Sequence, residues 1–578
     1  MSDGSISSDP ETVLSKWGSD FEVLLNSKNT ASNDFDNDQA SVDLDQFNVN
    51  SVDEIENEHF DSMIIIDEVL KCILHAKSDF RKAYDLIDRT SLWQKLHQQV
   101  GIGGRLFQAI SSLYKDVKCC TRLNGFDTPW FDVKCGLKQG CPLSPMLFNL
   151  YINDLVMYMN NLDKGERKIC ILLYADDIVL LAENAKDLQS MLDALALWCC
   201  QNKMTVNCDK SNIVHFRANS ISKTEHVFEF NSEKLKIVHS YKYLGVVLNE
   251  FLDYNEIAKT VAISASRALG LVISKSKAFG GFQYSTFTKL YDSMVWPIIN
   301  YSAPIWGDKS YSCINAVHHR AMRYYLGVGR YTPNVAVSGE MGWKPPVVRQ
   351  WVSVFRQYFR VMNMDDNRIN KSVYMWSKAS NVKNGFYRLK KLLKDIDSNH
   401  ILEANIRNSK PTISMLESKL MEIETNKWKL LLERENAIRG NGGNKLRTYR
   451  KFKSQFCTEK YLMSKLPFMY RSAFTKLRCG VAPLRIETGR YENIDVMNRK
   501  CFNCPDTIED EKHVLLYCPL YNDIRKELVS ALDDVLRNRY IISDDNKMVT
   551  IFGSENLIYL SAKACHHILF ERKKKTVL

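Results

Sequence analysis

The stretch Leu172-Leu173-Tyr174-Ala175-Asp176-Asp177-Ile178-Val179-Leu180-Leu181 sets two adjacent carboxylates between two apolar runs, with no basic residue beside them. Short apolar runs bounded by polar residues read as buried strands. The simplest geometry is a hairpin whose tight turn carries Ala175, Asp176 and Asp177. Paired carboxylates repel each other and lose solvation on burial, so they need a cation. Mg²⁺ is the natural one, because it takes hard oxygen ligands and is commonly shared with substrate phosphates. A solvated Asp-Asp turn between surface strands satisfies the same string, so the rest of the chain has to decide.

A chain of 578 residues has room for about three or four domains. No apolar run approaches the roughly 20 residues that span a bilayer, and the N-terminus lacks a signal-peptide profile. The expected location is therefore intracellular, nucleus or cytoplasm, with no membrane partner. The net charge of +11 hides an asymmetry: residues 1–60 hold 14 acidic against 2 basic side chains, leaving 76 basic against 53 acidic in the remainder. The Asp-, Asn- and Ser-rich head reads as a mostly disordered linker with one short helix over 13–25. The basic body is the footprint of a polyanionic partner. Sixteen Cys without a secretory signal point to thiols or metal ligands rather than disulfides.

Residues 64–77 carry Val69, Leu70, Ile73 and Leu74 at helical spacing behind Asp67 as an N-cap, and predict a helix. Ser78-Asp79-Phe80-Arg81-Lys82-Ala83-Tyr84 follows directly; a strand that ends at Asp79 and turns into a helix would put Tyr84 over the same pocket as the carboxylate. Two helices around a Gly-rich break are expected over 91–114, and a hairpin over 117–133 with its turn near Asn124-Gly125. Gly136-Leu137-Lys138-Gln139-Gly140-Cys141-Pro142-Leu143-Ser144-Pro145 makes a backbone that can approach a ligand closely. The apolar helix expected behind it, 146–159, offers an N-terminus suited to a phosphate. An amphipathic helix over 188–202, a turn and strand over 206–216 carrying Lys210, and a strand over 240–248 bent at Gly245 complete this region.

In order, DFRKAY (79–84), GLKQGCPLSP (136–145), YADD (174–177), Asn207–Lys210 and YLG (243–245) resemble the reverse transcriptases of LINE-like, non-LTR retrotransposons, over roughly residues 60–525. The resemblance implies an α+β right-hand polymerase fold: a palm of antiparallel sheet backed by helices, with remnant fingers, over 61–253, and a helical thumb over 254–345. Further helices over 346–438 and a basic connector with helices over 439–495 would follow. It implies an RNA-directed DNA polymerase whose partners are an RNA template, a DNA primer and deoxynucleoside triphosphates. Asp79, Asp176 and Asp177 would hold two Mg²⁺ ions. Phe80, Tyr84, Gln139, Gly140, Ser144 and Ala175 would line the template and nucleotide pocket, with Tyr84 under the sugar excluding a ribose 2′-hydroxyl. Lys210 would act as the acid near the pyrophosphate, and Tyr243, Leu244 and Gly245 would position the primer end.

Cys501-x2-Cys504-x8-His513-x4-Cys518 offers three thiolates and an imidazole at spacings that can close a tetrahedral Zn²⁺ site, and it resembles the C-terminal knuckle of LINE-type proteins. It implies one structural zinc in a small module over 496–525, with C-terminal helices and a basic tail over 526–578. Cys565-His566-His567 is poor ligand geometry and reads as structural. Lys445–Phe456 is the densest basic-aromatic run, read as a nucleic-acid contact rather than a solvated face, and Arg572–Lys575 as a solvated charge run.

The chain departs from the family pattern at two places. Family members commonly carry an endonuclease ahead of the polymerase, and the acidic head leaves no room for one. A fingers module and an apolar strand normally precede the first catalytic Asp, whereas here His75-Ala76-Lys77 runs straight into Ser78-Asp79, so no strand is expected to present Asp79. The alternative reading is therefore a truncated, catalytically inactive relative that only binds nucleic acid.

Overall fold

The computed structural model describes residues 73–80, 82–123, 126–160, 171–379, 384–404, 406, 409–434, 445–537 and 543–576. The helix expected over 13–25, the turn at Asn124-Gly125 and the RGNGGN linker at 439–444 lie outside them. The chain divides into two units, one ending at Asp253 and one running from Tyr254.

The first unit is built on a five-stranded sheet of β1 (Ile73–Asp79), β2 (Ile171–Tyr174), β3 (Asp177–Ala182), β4 (Asn212–Phe216) and β5 (Lys236–Ile237), in the order β5-β4-β1-β3-β2. All neighbours are antiparallel except β5 and β4. β1 corrects the helix expected over 64–77 at its C-terminal end, since residues 73–79 form the central strand. The apolar pair Ile73-Leu74 suits a helix or a strand, and long-range pairing decides. Both β3 and β4 would otherwise expose unpaired N–H and C=O groups along an inner edge. β1 satisfies them on both sides, with Ala76 wholly buried beneath Leu180 and Ile213 as cross-strand partners. The expectation that no strand presents Asp79 is overturned by the same observation.

Helices α1 (Arg89–Gln98), α2 (Gly104–Ser112), α3 (Ser144–Asn160) and α4 (Ala185–Gln201) cover the sheet and share its core, in which Phe80, Phe148, Tyr151, Leu192, Leu195 and Trp198 are buried. Asn184 caps α4 by accepting from the Asp187 N–H. Lys95 is buried on α1, where its ammonium donates to Tyr151 O and Asp154 at 2.8 Å and lies over the Tyr151 ring. The expected hairpin over 117–133 forms from two short ladders, 118–119 with 131–132 and 122–123 with 126–127. A second hairpin pairs β6 (Ser240–Tyr243) with β7 (Val246–Asn249).

The second unit is helical among its described residues. α5 (Tyr254–Ala278) packs against α6 (Ser312–Leu326), and α7 (Pro346–Met362) against α8 (Ser409–Arg434). α5 is the one described helix long and apolar enough to cross a membrane by length and composition, though Glu256, Lys259 and Arg267 interrupt its apolar residues. Its inner face is Ala258, Ala262, Ala265, Leu269 and Val272, all buried. The C-terminal part contains α9 (Phe468–Arg478), α10 (Asn522–Leu536) and α11 (Ile558–Thr576).

Two charge runs lie elsewhere than composition suggests. In Lys445–Phe456, Leu446 and Tyr449 are fully buried, Arg447 donates to buried Glu511 at 2.5 Å, Lys451 pairs with Asp545, and buried Lys453 pairs with Glu459. Glu459 also accepts from Arg478, a fully buried guanidinium that forks onto Glu340 at 2.9 Å. The run is thus a bracing element: Lys445, Arg447, Lys451 and Lys453 pair with carboxylates within the unit, and Arg450 donates to Leu432 O at 2.7 Å. Arg572 is likewise buried and bonded to Glu509, so the C-terminal run begins inside the fold.

Candidate active site and metal centre

The β2–β3 hairpin turns through Ala175 and Asp176, with Tyr174 paired to Asp177. Ala175 adopts φ +50°, a left-handed conformation that an alanine holds only at a cost of about 1 kcal/mol and that concentrates at functional sites. The β1–β3 ladder ends with Asp79 directly opposite Asp177, and Phe80 N–H donates to Asp176 O at 3.3 Å. Three acidic residues therefore meet at one end of the sheet. Acidic residues at opposed positions of an antiparallel ladder are destabilising by themselves, and a hard divalent cation shared between them offsets that repulsion. The donor set fits Mg²⁺.

Two phenols report on those carboxylates. Burial and then the charge of Asp176 raise the Tyr84 phenol above its ordinary value. Burial, then the charges of Asp177 and Tyr174, push Tyr243 up to about 12. Tyr84 is held by stacking on Phe148, centroids 4.8 Å apart. Tyr243 precedes Leu244 and Gly245, whose φ values of +45° and +84° make the tight β6–β7 turn.

The Gly136–Pro145 loop is fastened to the Tyr84 turn. Gly136 N–H donates to Ile87 O at 2.8 Å and Leu137 N–H to Tyr84 O at 2.7 Å. A Cβ on Gly136, at φ +80°, would lie 2.5 Å from Asp85 O, so only glycine fits there. Gln139 and Gly140 are exposed, and Gln139 donates to the Asp85 carboxylate at 2.8 Å. Ser144 is buried; its hydroxyl donates to Lys138 O at 2.7 Å and meets Tyr114 Oη at 3.2 Å, which makes it a brace of the loop rather than a ligand-facing group. Phe80 is corrected in the same way: its ring is buried between Phe148 and Trp198, and only its backbone faces the turn. Lys210 is exposed in the turn before β4, at the same end of the sheet as Asp79.

One residue carries this arrangement without a sequence signal. Arg89, at the start of α1, donates to the carbonyls of Gly136 at 2.9 Å, Val133 at 2.8 Å, Cys135 at 3.1 Å and Tyr114 at 3.3 Å. A single guanidinium thus holds the entry to the loop through contacts 25 to 47 residues away, which no local pattern encodes.

In the second unit, Cys501, Cys504, His513 and Cys518 place one ligand atom each within 4.8 Å of one another, and the Cys518 Sγ is 4.0 Å from both other thiols. Both ring nitrogens of buried His513 lack a hydrogen-bond partner; a metal would supply one for the nitrogen that faces the thiols. Cys565 is buried and the His566 ring packs on Tyr470, a structural arrangement as expected.

A mostly antiparallel sheet that gathers acidic residues at one end, backed by helices and flanked by the Gly136–Pro145 loop, has the layout of a polymerase palm. Residues 37–248 match the family described as "Reverse transcriptase (RNA-dependent DNA polymerase)", a match that starts inside the stretch composition reads as linker. The chain is similar to the RNA-directed DNA polymerase from mobile element jockey of Drosophila funebris, 25% identical over 41% of this chain and 26% of that protein. It is also similar to the Pol polyprotein of the type-1 retrotransposable element R2 of Popillia japonica, 29% identical over 34% of this chain and 28% of that protein. Residues 37–248 thus resemble a reverse transcriptase domain, and the relatives they match belong to non-LTR, LINE-like mobile elements. The chain spans about a quarter of the length of these relatives. Among solved structures, apo telomerase from Candida tropicalis aligns at 13% identity and a TM-score of 0.28, over 60% of this chain and 53% of that one.

Proposed function

We propose that this chain copies RNA into DNA by two-metal nucleotidyl transfer onto a primer 3′-hydroxyl, as part of a non-LTR retrotransposon. The observation that carries the reading is the β1–β3 register, which sets Asp79 opposite Asp177 and beside Asp176. Asp79, Asp176 and Asp177 would hold two Mg²⁺ ions. The chemistry these supply when bound is activation of the 3′-hydroxyl and neutralisation of the triphosphate and departing pyrophosphate.

The chain's own residues position the reactants. Tyr84, fixed on Phe148, lies under the incoming sugar and leaves no room for a 2′-hydroxyl. Gln139 and Gly140 line the template and nucleotide pocket, with Ala175 at the turn beside it, while Ser144, Asp85 and Arg89 keep the loop in place. Tyr243, Leu244 and Gly245 support the primer end next to Asp177. The 3′-hydroxyl would give up its proton to water as its oxygen attacks the α-phosphorus, the bond from that phosphorus to the bridging oxygen breaks, and Lys210 Nζ would donate a proton to the departing pyrophosphate. Positioning of this kind is most of what phosphoryl transfer requires. The helices over 254–345 serve as the thumb. The strand at Asp79 that the inactive-relative reading took to be missing is present as β1, which supports the active reading. The absence from the sequence of a fingers module ahead of Asp79 keeps the inactive relative as the second reading.

The Cys501–Cys518 site holds one structural Zn²⁺. A tetrahedral site with Zn–S bonds near 2.3 Å has sulfur–sulfur edges of about 3.8 Å, close to the 4.0 Å separations present. Primer extension on an RNA template with Mg²⁺ and deoxynucleotides tests the polymerase reading. The native chain yields product, and Asp176→Ala yields none while still binding template; no product from the native chain overturns it.

A further inference from the structure

Helices α9 and α11 pack side by side and leave a groove of about 490 Å³ along their outer edge. The residues α11 turns inward are Ser561, Cys565, Ile568 and Arg572, spaced as one helical stripe. That leaves His566, Phe570 and Lys573 on the groove side, opposite Phe468, Met469 and Lys476 of α9. Phe468 and Phe570 are 43% and 50% exposed, a large apolar surface to leave in water. Tyr470, His566 and Phe570 form an aromatic row, with successive ring centroids 5.2 and 6.2 Å apart.

The charge in the groove has one sign. Among the described residues, no acidic side chain lines it. Lys476 is half-buried there, and burial alone lowers its ammonium below the usual range, with no carboxylate opposing the shift. A desolvated cation without a counter-charge is unfavourable until an anion reaches it. Exposed aromatic faces beside such a cation are the two halves of a stacking and phosphate-binding surface.

We propose that the α9–α11 groove binds a single-stranded polynucleotide, with bases against Phe468 and Phe570 and a phosphate at Lys476. This site is separate from the sheet end that holds Asp176. None of the Lys445–Phe456 run lines it, and Arg447, Lys451 and Lys453 of that run pair with carboxylates instead.

The test uses the full chain and a fluorescent 12-nucleotide strand carrying 4-thiouridine or 4-thiothymidine, in RNA and DNA forms, without Mg²⁺ or deoxynucleotides. Lack of polymerase activity therefore does not affect it. Photocrosslinks fall in peptides covering 468–476 or 566–573. Phe570→Ala weakens binding about ten-fold. Lys476→Gln lowers the slope of log affinity against log salt by about 0.7, the value for one phosphate on a single strand. Circular dichroism melts matching the native chain show that both variants are folded. Crosslinks confined to residues 73–253, or native affinity and salt slope in both variants, overturn the proposal. So does a change of sedimentation coefficient in the variants with unchanged binding, which assigns the groove to a second copy of the chain.

Discussion

Tyr84 and Arg89 sit five residues apart in sequence and do different work. Tyr84 stands next to Asp176, and its ring is fixed by Phe148. Tyr84→Val is expected to raise ribonucleotide incorporation relative to deoxynucleotide at least ten-fold, read from paired single-nucleotide extension reactions. An unchanged ratio would remove it from the sugar pocket. Arg89 holds four carbonyls around the Gly136 loop. Arg89→Ala leaves several of them unsatisfied, so it should lower unfolding stability by about 2–4 kcal/mol and raise the deoxynucleotide KM more than it lowers kcat. Arg89→Lys should recover only part of either loss, since an ammonium cannot reproduce a planar fork. A native denaturation midpoint in Arg89→Ala would contradict this role. The acidic pair and Tyr84 are legible because each belongs to a contiguous string; Arg89 is not, because its partners lie 25 to 47 residues away.

At the scale of elements, the helices were the most readable. The helices expected over 146–159 and 188–202 appear as Ser144–Asn160 and Ala185–Gln201, because long apolar periodicity leaves little choice. β1 was misread because seven residues with one apolar pair fit two periods, and the β3 and β4 edges that fix it are about 100 or more residues downstream. Ala76→Glu should therefore collapse the sheet, costing more than about 3 kcal/mol for an unpaired buried charge. A native midpoint in that variant would mean β1 is not a central strand. The Lys445–Phe456 run misled for a related reason: composition reports charge but not the buried Glu511 and Glu459 that absorb it. The clustering of Cys501, Cys504, His513 and Cys518 was legible from their spacing, while the anchoring of their loop was not. Glu509 of that loop accepts from Arg485 N–H at 2.6 Å and from Arg572 of α11 at 2.7 Å. Cys504→Ser should reduce bound zinc from one equivalent to near zero by elemental analysis. It should also speed amide exchange in α11 through the lost Glu509 anchor; full zinc content would refute the site.

For the whole molecule, the separation of charge is the property that sequence states most plainly, with 76 basic against 53 acidic residues after the first 60. Many basic side chains of the second unit pair with carboxylates inside it, among them Arg447, Lys453, Arg478 and Arg572. Fewer cations therefore face a polyanion than the basic count implies, while the net excess itself is untouched by such pairs. In the proposed reading the palm holds the chemistry, and that reading depends on Asp79 arriving at the same sheet end as Asp176 and Asp177. Groups that act as one unit show non-additive losses. The most direct measurement is single-nucleotide incorporation on an RNA template by the native chain, Asp79→Ala, Asp176→Ala and the double variant. Incorporation by the native chain alone, with all three variants equally inactive and still able to bind template, is the result expected. Synthesis surviving in Asp79→Ala, or absent from the native chain, would contradict the account.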